Sequence, residues 1–328
     1  MLRTSRNMAV LDRRSVLAGA ALATLAGAPA LSQTSPENEV VELWPNAPPG
    51  FQGASIARKT ADQSSDPARP DRWISGIARP TLVVRRPARP NGLAVLIVPG
   101  GGYSFLSFDN EGTTQADWLV GRGMTAFILL YRLPSEGWHQ RALVPLQDAQ
   151  RAVRIIRGNH ARFGVSSRQL AVLGFSAGGH LAGSLATRHQ ERTYGKIDAL
   201  DDLSARPDVA GLIYPVVSLT APFTHAGSRD MLLGAGAAQS ARQAASLEHR
   251  VDAMTPPTLL VHAADDGLVP PANSIALFGA LQAAGRTTAL HVFEDGGHGF
   301  GNRLSAARST SAWPDLFERF AIQHGLAA

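Results

Sequence analysis

Short apolar runs alternate with helix-patterned stretches along most of this chain, and that alternation most limits what it can fold into. Residues 81–84, 93–98, 125–131, 170–175, 209–217, 258–262 and 290–293 read as strands. The later ones are continuous apolar runs, as expected where both faces of a strand are covered. Helices are expected over 113–122, 143–163, 178–188, 272–284 and 312–324; in the second of these Val144, Asp148, Ala152, Ile155 and Ile156 recur at helical spacing. The pattern predicts an α/β fold with a mostly parallel central sheet and helices on both faces. The Pro-rich, polar segment 31–80 is expected to wrap the sheet edge as irregular chain with one short strand. Segment 219–256, rich in Ala, Gly and Ser, is expected to be a small insertion with short helices near the carboxyl edge of the sheet.

Composition narrows the function classes. A length of 328 residues suits one large α/β domain or two small ones, and a 45% apolar, 17% charged chain is not of the disordered type. The absence of cysteine excludes disulfides, thiolate metal sites, iron–sulfur clusters and a cysteine nucleophile. The net charge of +5 and a pI near 10.2 suggest nucleic acid until the charges are located. Arg3, Arg6, Arg13 and Arg14 precede a weakly apolar run over 16–28, and Ala28-Pro29-Ala30 has the form of a cleavage site. With Asp12-Arg13-Arg14-Ser15-Val16-Leu17 at its core, segment 1–30 reads as a twin-arginine export signal. Its removal takes away four Arg and one Asp, leaving 27 basic and 25 acidic side chains, +2 over 298 residues. Lys59 and Lys196 are the only lysines and the arginines are scattered, so no nucleic-acid footprint is expected. The expectation is one catalytic domain over 31–328, periplasmic or extracellular, with no stable membrane anchor after cleavage.

Gly174-Phe175-Ser176-Ala177-Gly178 is a G-x-S-x-G motif placed between an expected strand and an expected helix. A strand-to-helix elbow needs small residues around its serine, because the backbone there is strained and the flanking segments pass closely. A serine hydroxyl needs a base, and the base needs an orienting acid. Among ten histidines, His298 in Glu294-Asp295-Gly296-Gly297-His298-Gly299-Phe300 has the most loop-like setting, just after the last strand. His262 ends a strand and His180 faces a tight helix start, so both read as structural. On the loop after strand 258–262, Asp265 and Asp266 are both candidates for the acid. Pro99-Gly100-Gly101-Gly102-Tyr103 lacks the Lys of a phosphate loop and the spacing of a dinucleotide fingerprint. It fits an oxyanion hole, which the N–H of Ala177 would complete. Trp138, His139, Tyr103 and Phe105 fall on loops near the expected site, where they either stack on sugar rings or wall a pocket.

These pieces together resemble the α/β-hydrolase fold. More narrowly, they resemble the bacterial esterase group that holds acetylxylan esterases, feruloyl-esterase-like proteins and relatives of hormone-sensitive lipase. The resemblance runs over about 40–326 and rests on Leu43-Trp44-Pro45, Arg79-Pro80-Thr81-Leu82, the glycine loop, Asn110-Glu111-Gly112, Tyr131-Arg132-Leu133-Pro134, Asp148-Ala149-Gln150-Arg151-Ala152, and Gly174 through Leu181. The group's acid-loop pattern, H-G-x-x-D-x-x-V-P, laid on His262 to Pro270, implies Asp266, with Ala263 in place of Gly. Its H-G-G-G loop appears with Pro99 in place of His, and implies Gly101 and Gly102 as N–H donors. Arg132, Asp148 and Arg151 look like scaffold residues joined by ion pairs. The resemblance implies a serine carboxylic-ester hydrolase, with acetylxylan-type carbohydrate acetylesterase as the first expectation. A general short-chain carboxylesterase or lipase-like enzyme and a feruloyl esterase are the alternatives, ahead of a peptidase or a non-catalytic binding protein. No cofactor and no metal are implied, and the expected partner is a small ester or acetylated carbohydrate.

Overall fold

The computed structural model describes residues 39–53 and 55–326, which fall in one compact unit. The segment read as an export signal lies outside the described residues. The apolar runs form an eight-stranded sheet in the order β1 (Glu39–Glu42), β4 (Thr81–Arg85), β7 (Thr125–Leu130), β5 (Gly92–Val98), β8 (Val165–Phe175), β9 (Val209–Ile213), β10 (Thr258–Ala263) and β11 (Thr288–Phe293). The pairs β1·β4 and β4·β7 are antiparallel and the rest are parallel. A second, three-stranded antiparallel sheet joins β2 (Lys59–Asp62), β3 (Arg72–Ser75) and β6 (Leu106–Ser107). Helices α1 (Thr114–Gly121), α2 (Val144–Gly158), α3 (His160–Phe163), α4 (Ser176–Arg188), α5 (Ala226–Leu233), α6 (Gln239–Ala245), α7 (Ala272–Ala283) and α8 (Trp313–His324) complete the regular structure. Every residue of β7, β9 and β10 is buried, as continuous apolar runs require of strands sandwiched between helices. Among the described residues no helix is long and apolar enough to cross a membrane.

The differences from the sequence expectations have local causes. Three short strands, β1, β2 and β3, lie in the segment expected to hold one; every residue of β2 is exposed, so its composition carries no apolar pattern. The run expected as 209–217 stops at Ile213, because Tyr214 takes a positive φ of 38° and Pro215 brings no N–H to a ladder. The long helix expected over 143–163 breaks at Asn159 into α2 and α3. Helix α4 starts at Ser176 rather than Gly178. The 219–256 insertion is present, with α5 and α6 as its short helices.

One buried ion pair holds the scaffold beside the sheet. The Arg132 guanidinium donates to both oxygens of Asp148 at 2.7–3.0 Å, and Trp44 Nε1–H donates to Asp148 Oδ1 at 2.8 Å. Both side chains of the pair are fully buried. Arg151 pairs instead with Asp198 and Asp201. Removing one partner of a buried pair strands the other charge, so Asp148→Ala is expected to lower unfolding free energy by about 3–5 kcal/mol, read from urea midpoints.

The topology also sets where a site can form. Strand β5 pairs with β7 on one side and β8 on the other, so the connections leaving β5 and β8 emerge side by side; Val98 stands opposite Gly174. Such a crevice at the carboxyl ends of neighbouring strands, where strand order reverses, is the usual ligand position in open α/β sheets.

Candidate active site

Ser176 stands at the junction of β8 and α4 with a φ of 53°, a left-handed conformation that a serine holds only when its surroundings enforce it. The enforcement is close packing. A Cβ on Gly178 would lie 2.2 Å from the Val98 carbonyl oxygen, so the start of α4 presses directly on the end of β5. This turn raises the Ser176 side chain at the carboxyl edge of the sheet, beside the first turn of a helix, whose N–H groups have no intrahelical partner.

His298 reaches Ser176 from the loop after β11. Its Nε2 lies 2.8 Å from Ser176 Oγ, and its Nδ1 lies 2.8 Å from Asp266 Oδ2. A carboxylate oxygen only accepts, so Nδ1 carries the proton and Nε2 is free to accept from the serine hydroxyl. Asp266 Oδ1 accepts the N–H groups of Leu268 and Val269, at 3.0 and 2.9 Å. Burial works to raise the Asp266 carboxyl, but hydrogen bonds from His262, His298 and the Val269 N–H outweigh it and hold the group well below the usual carboxylate range. Asp265, the other candidate, is exposed and accepts the N–H of Gly297 at 2.7 Å, bracing the loop that carries His298. His262 donates through Nε2 to the Val269 carbonyl at 2.8 Å and accepts from Ser274 at Nδ1, at 2.7 Å; its Nε2 is also 3.3 Å from Asp266. It is therefore a buried brace for the acid loop.

The glycine loop after β5 lies against Ser176. Gly101 has a φ of 122°, and a Cβ there would sit 2.2 Å from the Phe105 carbonyl oxygen, so only glycine fits. The N–H of Gly100 donates to Glu111 Oε2 at 2.7 Å. Those of Gly101 and Gly102 meet no acceptor among the described residues, which leaves them able to receive an oxyanion along with the first-turn N–H of Ala177. Tyr103, at a φ of 62°, anchors the far end of the loop through its hydroxyl, 2.8 Å from His180 Nδ1. His180 Nε2 donates to the Ala245 carbonyl at 2.8 Å, so this buried imidazole is neutral and tethers the loop to α6. Burial pushes its pKa down from 6.5 to about 4. Its contribution to stability is therefore complete above pH 6.5 and lost as pH falls toward 4. The fall should be shallower in His180→Asn, by at most about 1.4 kcal/mol per pH unit, in denaturation curves taken across that window.

Glu111 and Tyr214 escaped the sequence reading. Glu111 lies in a π-helical turn over Asp109–Thr113 and is fully buried at the site. Its Oε1 accepts the Tyr214 hydroxyl at 2.9 Å while Oε2 holds Gly100. Tyr214 stacks edgewise on His298 with centroids 5.0 Å apart, and its oxygen accepts the Gly301 N–H at 3.1 Å. Burial pushes the Glu111 carboxyl up, against the opposing hydrogen bonds from Gly100 and Tyr214. Glu111 thus links the glycine loop, through Tyr214, to the histidine loop. The available signal was its place in Asn110-Glu111-Gly112, which the resemblance quoted without assigning it a role.

A cavity of about 660 Å³ opens over Ser176 and His298, with Gly101, Gly102, Phe105, His225 and, from α5, Gly227, Asp230 and Met231 around it. Of the four aromatic candidates only Phe105 lines it. Tyr103 is buried on His180, Trp138 is buried over the Arg132 guanidinium at 4.8 Å, and His139 is exposed elsewhere. Trp73, unmarked in the sequence reading, lines the cavity and stacks on Phe105 at 3.9 Å. Among the described residues no group of three His, Cys, Asp or Glu side chains is placed to hold a metal ion.

Comparison with known proteins places this geometry in a family. A sequence profile described as BD-FAE matches residues 85–281. The chain is 32% identical over 236 residues to an acetylxylan esterase of Xylanibacter ruminicola, an alignment that takes in 70% of this chain and 45% of that one. It is 38% identical over 208 residues to endo-1,4-beta-xylanase B of Butyrivibrio fibrisolvens, over 62% of this chain and 32% of that one. The chain thus spans less than half the length of these curated relatives. The crystal structure of an acetyl ester-xyloside bifunctional hydrolase from Caldicellulosiruptor lactoaceticus superposes with a TM-score of 0.70 at 32% identity, covering 88% of this chain and 97% of the other. With the profile matching more than half of its length and the sheet, elbow and loops arranged as described, the chain belongs to the BD-FAE family of α/β-hydrolases.

Proposed function

We propose that this protein is a serine carboxylic-ester hydrolase that works through an acyl-enzyme and removes acetyl groups from carbohydrate. The hydrogen-bonded chain Ser176–His298–Asp266 carries the reading. His298 Nε2 takes the hydroxyl proton as Ser176 Oγ attacks the ester carbonyl carbon. Asp266, held ionised, fixes the tautomer and stabilises the imidazolium that results. The carbonyl oxygen, now negative, receives the N–H groups of Gly101, Gly102 and Ala177; a single donor of this kind is worth about 3 kcal/mol in the transition state. The imidazolium returns its proton to the departing alcohol oxygen, leaving the acyl group on Ser176. Water then repeats the sequence, giving its proton to His298 and releasing the acid.

The carbohydrate part of the reading is supported by the relatives, whose names refer to acetylxylan, xylan and an acetyl ester-xyloside. Export through segment 1–30 belongs to the same proposal, since polysaccharide lies outside the cytoplasm. A panel of acetyl, butyryl, feruloyl and peptide substrates tests it on purified protein. Release of acetate from acetylated xylo-oligosaccharide, with longer acyl esters and peptides cleaved poorly, is the expected result. Cleavage of long acyl esters with acetylated xylo-oligosaccharide untouched would overturn it.

A further inference from the structure

Part of the cavity wall comes from the small three-stranded sheet, which the mechanism does not use. Asp71, just before β3, and Trp73, within it, stand two residues apart, and both line the cavity that contains Ser176. Alternation along an extended chain puts residues at this spacing on one face. The Asp71 backbone is held at both ends: its N–H donates to Ser64 Oγ at 2.8 Å, and its carbonyl accepts from Gln63 at 2.9 Å. The next residue is clamped harder. Arg72 makes three hydrogen bonds to the Asp109 carboxylate at 2.7–2.8 Å, from its backbone N–H and from its guanidinium.

The Asp71 carboxylate itself has no such partner. Its Oδ1 is buried without a hydrogen bond, and neither oxygen meets a cation among the described residues. Among the described residues no lysine or arginine lines the cavity. Oδ1 is closed off from solvent, so Oδ2, which also makes no hydrogen bond among the described residues, is the acceptor that a residue lining the cavity can offer to donors arriving with the ligand. Trp73 lies beside it, its ring stacked on Phe105 at an interplanar angle of 10°. An aromatic plate next to an unpaired carboxylate combines an apolar surface with a hydroxyl acceptor. A sugar ring offers the two complementary features: a C–H face for the plate and hydroxyl donors at the rim.

We infer that Asp71 and Trp73 form a subsite for the alcohol part of the substrate, taking a neutral polyhydroxylated ring with a free hydroxyl on Asp71 and its C–H face on Trp73. The inference rests on the ester-hydrolase reading and adds the residues that select the alcohol. A uronate ring is disfavoured there, because its carboxylate would face Asp71 and Glu111 with no lysine or arginine among the described lining residues.

The test compares three substrates in wild type, Asp71→Ala and Asp71→Asn: p-nitrophenyl acetate, whose leaving group has no hydroxyl donor, acetylated xylobiose, and methyl ferulate. A site built to accept a hydroxyl loses most against substrates that use it. In Asp71→Ala, kcat/KM for acetylated xylobiose is expected to fall about tenfold or more, while that for p-nitrophenyl acetate stays within about twofold of wild type. Asp71→Asn, which keeps one acceptor oxygen, should recover part of the loss. An equal fall on all substrates, no fall on any, or a fall confined to methyl ferulate overturns the subsite. Wild-type protein inactive on every ester would instead overturn the hydrolase reading, so the two failures are told apart.

Discussion

Ser176→Ala is expected to lower kcat/KM for p-nitrophenyl acetate by roughly 10⁴- to 10⁶-fold while leaving a folded protein. The size follows from what the hydroxyl does. Without Oγ there is no covalent acceptor for the acyl group, and His298 has only water to activate, in a pocket arranged for a serine at 2.8 Å. What remains comes from binding and from the Gly101 and Gly102 donors, which the substitution does not touch. Stability should change little, within about 1 kcal/mol, because the hydroxyl makes one hydrogen bond and the strained φ of 53° is enforced by packing around Gly178. Steady-state kinetics and urea denaturation on the same preparation measure both. Near-wild-type turnover in the variant would put the chemistry on another group.

The second large effect separates two neighbouring carboxylates. Asp266→Asn is expected to cost about 10⁴-fold in kcat. An amide at that position can offer an N–H to His298 Nδ1, which favours the tautomer with the proton on Nε2, where the serine proton must go. Asp265→Asn should cost less than about tenfold, since Asp265 is exposed and supports the histidine loop only through the Gly297 N–H. Comparable losses in both variants would mean that the acid loop acts as a structural unit rather than through Asp266.

How much of this was legible in the sequence depended on whether a residue's partners are local. Strands β5, β7, β9 and β10 announced themselves, because burial on both faces leaves an unbroken apolar run. Strand β8 was read only from Leu170, since its first half, from Val165 to Gln169, is partly exposed and polar. The elbow, the glycine loop and the histidine loop were visible for a similar reason: each needs glycines at fixed offsets. The choice of Asp266 over Asp265 was not settled by the residues alone; it came from the spacing of a resembling family, and the hydrogen bond to His298 runs to the same residue. Glu111 and Tyr214 were invisible as site residues because their partners, Gly100 and Gly301, lie 11 and 87 residues away. Trp73 was missed because its strand belongs to a small sheet of two- to four-residue strands of mixed burial, whose pattern resembles a loop, whereas Trp138, which looked available, is spent on packing against Arg132. Aromatic residues near a motif in sequence are poor guides to the walls of a cavity when an independent sheet supplies one wall.

The measurement that bears most directly on the central claim is covalent labelling with a fluorophosphonate, followed by intact-mass and peptide mass spectrometry. Such a probe reacts with a serine activated by a neighbouring base and oxyanion donors, and its phosphonyl oxygen mimics the charge of the tetrahedral intermediate. The account predicts one adduct per chain, located on the peptide carrying Ser176, absent in Ser176→Ala and strongly slowed in Asp266→Asn. Wild-type protein that hydrolyses esters but takes up no label, or takes it up on a residue other than Ser176, would contradict it.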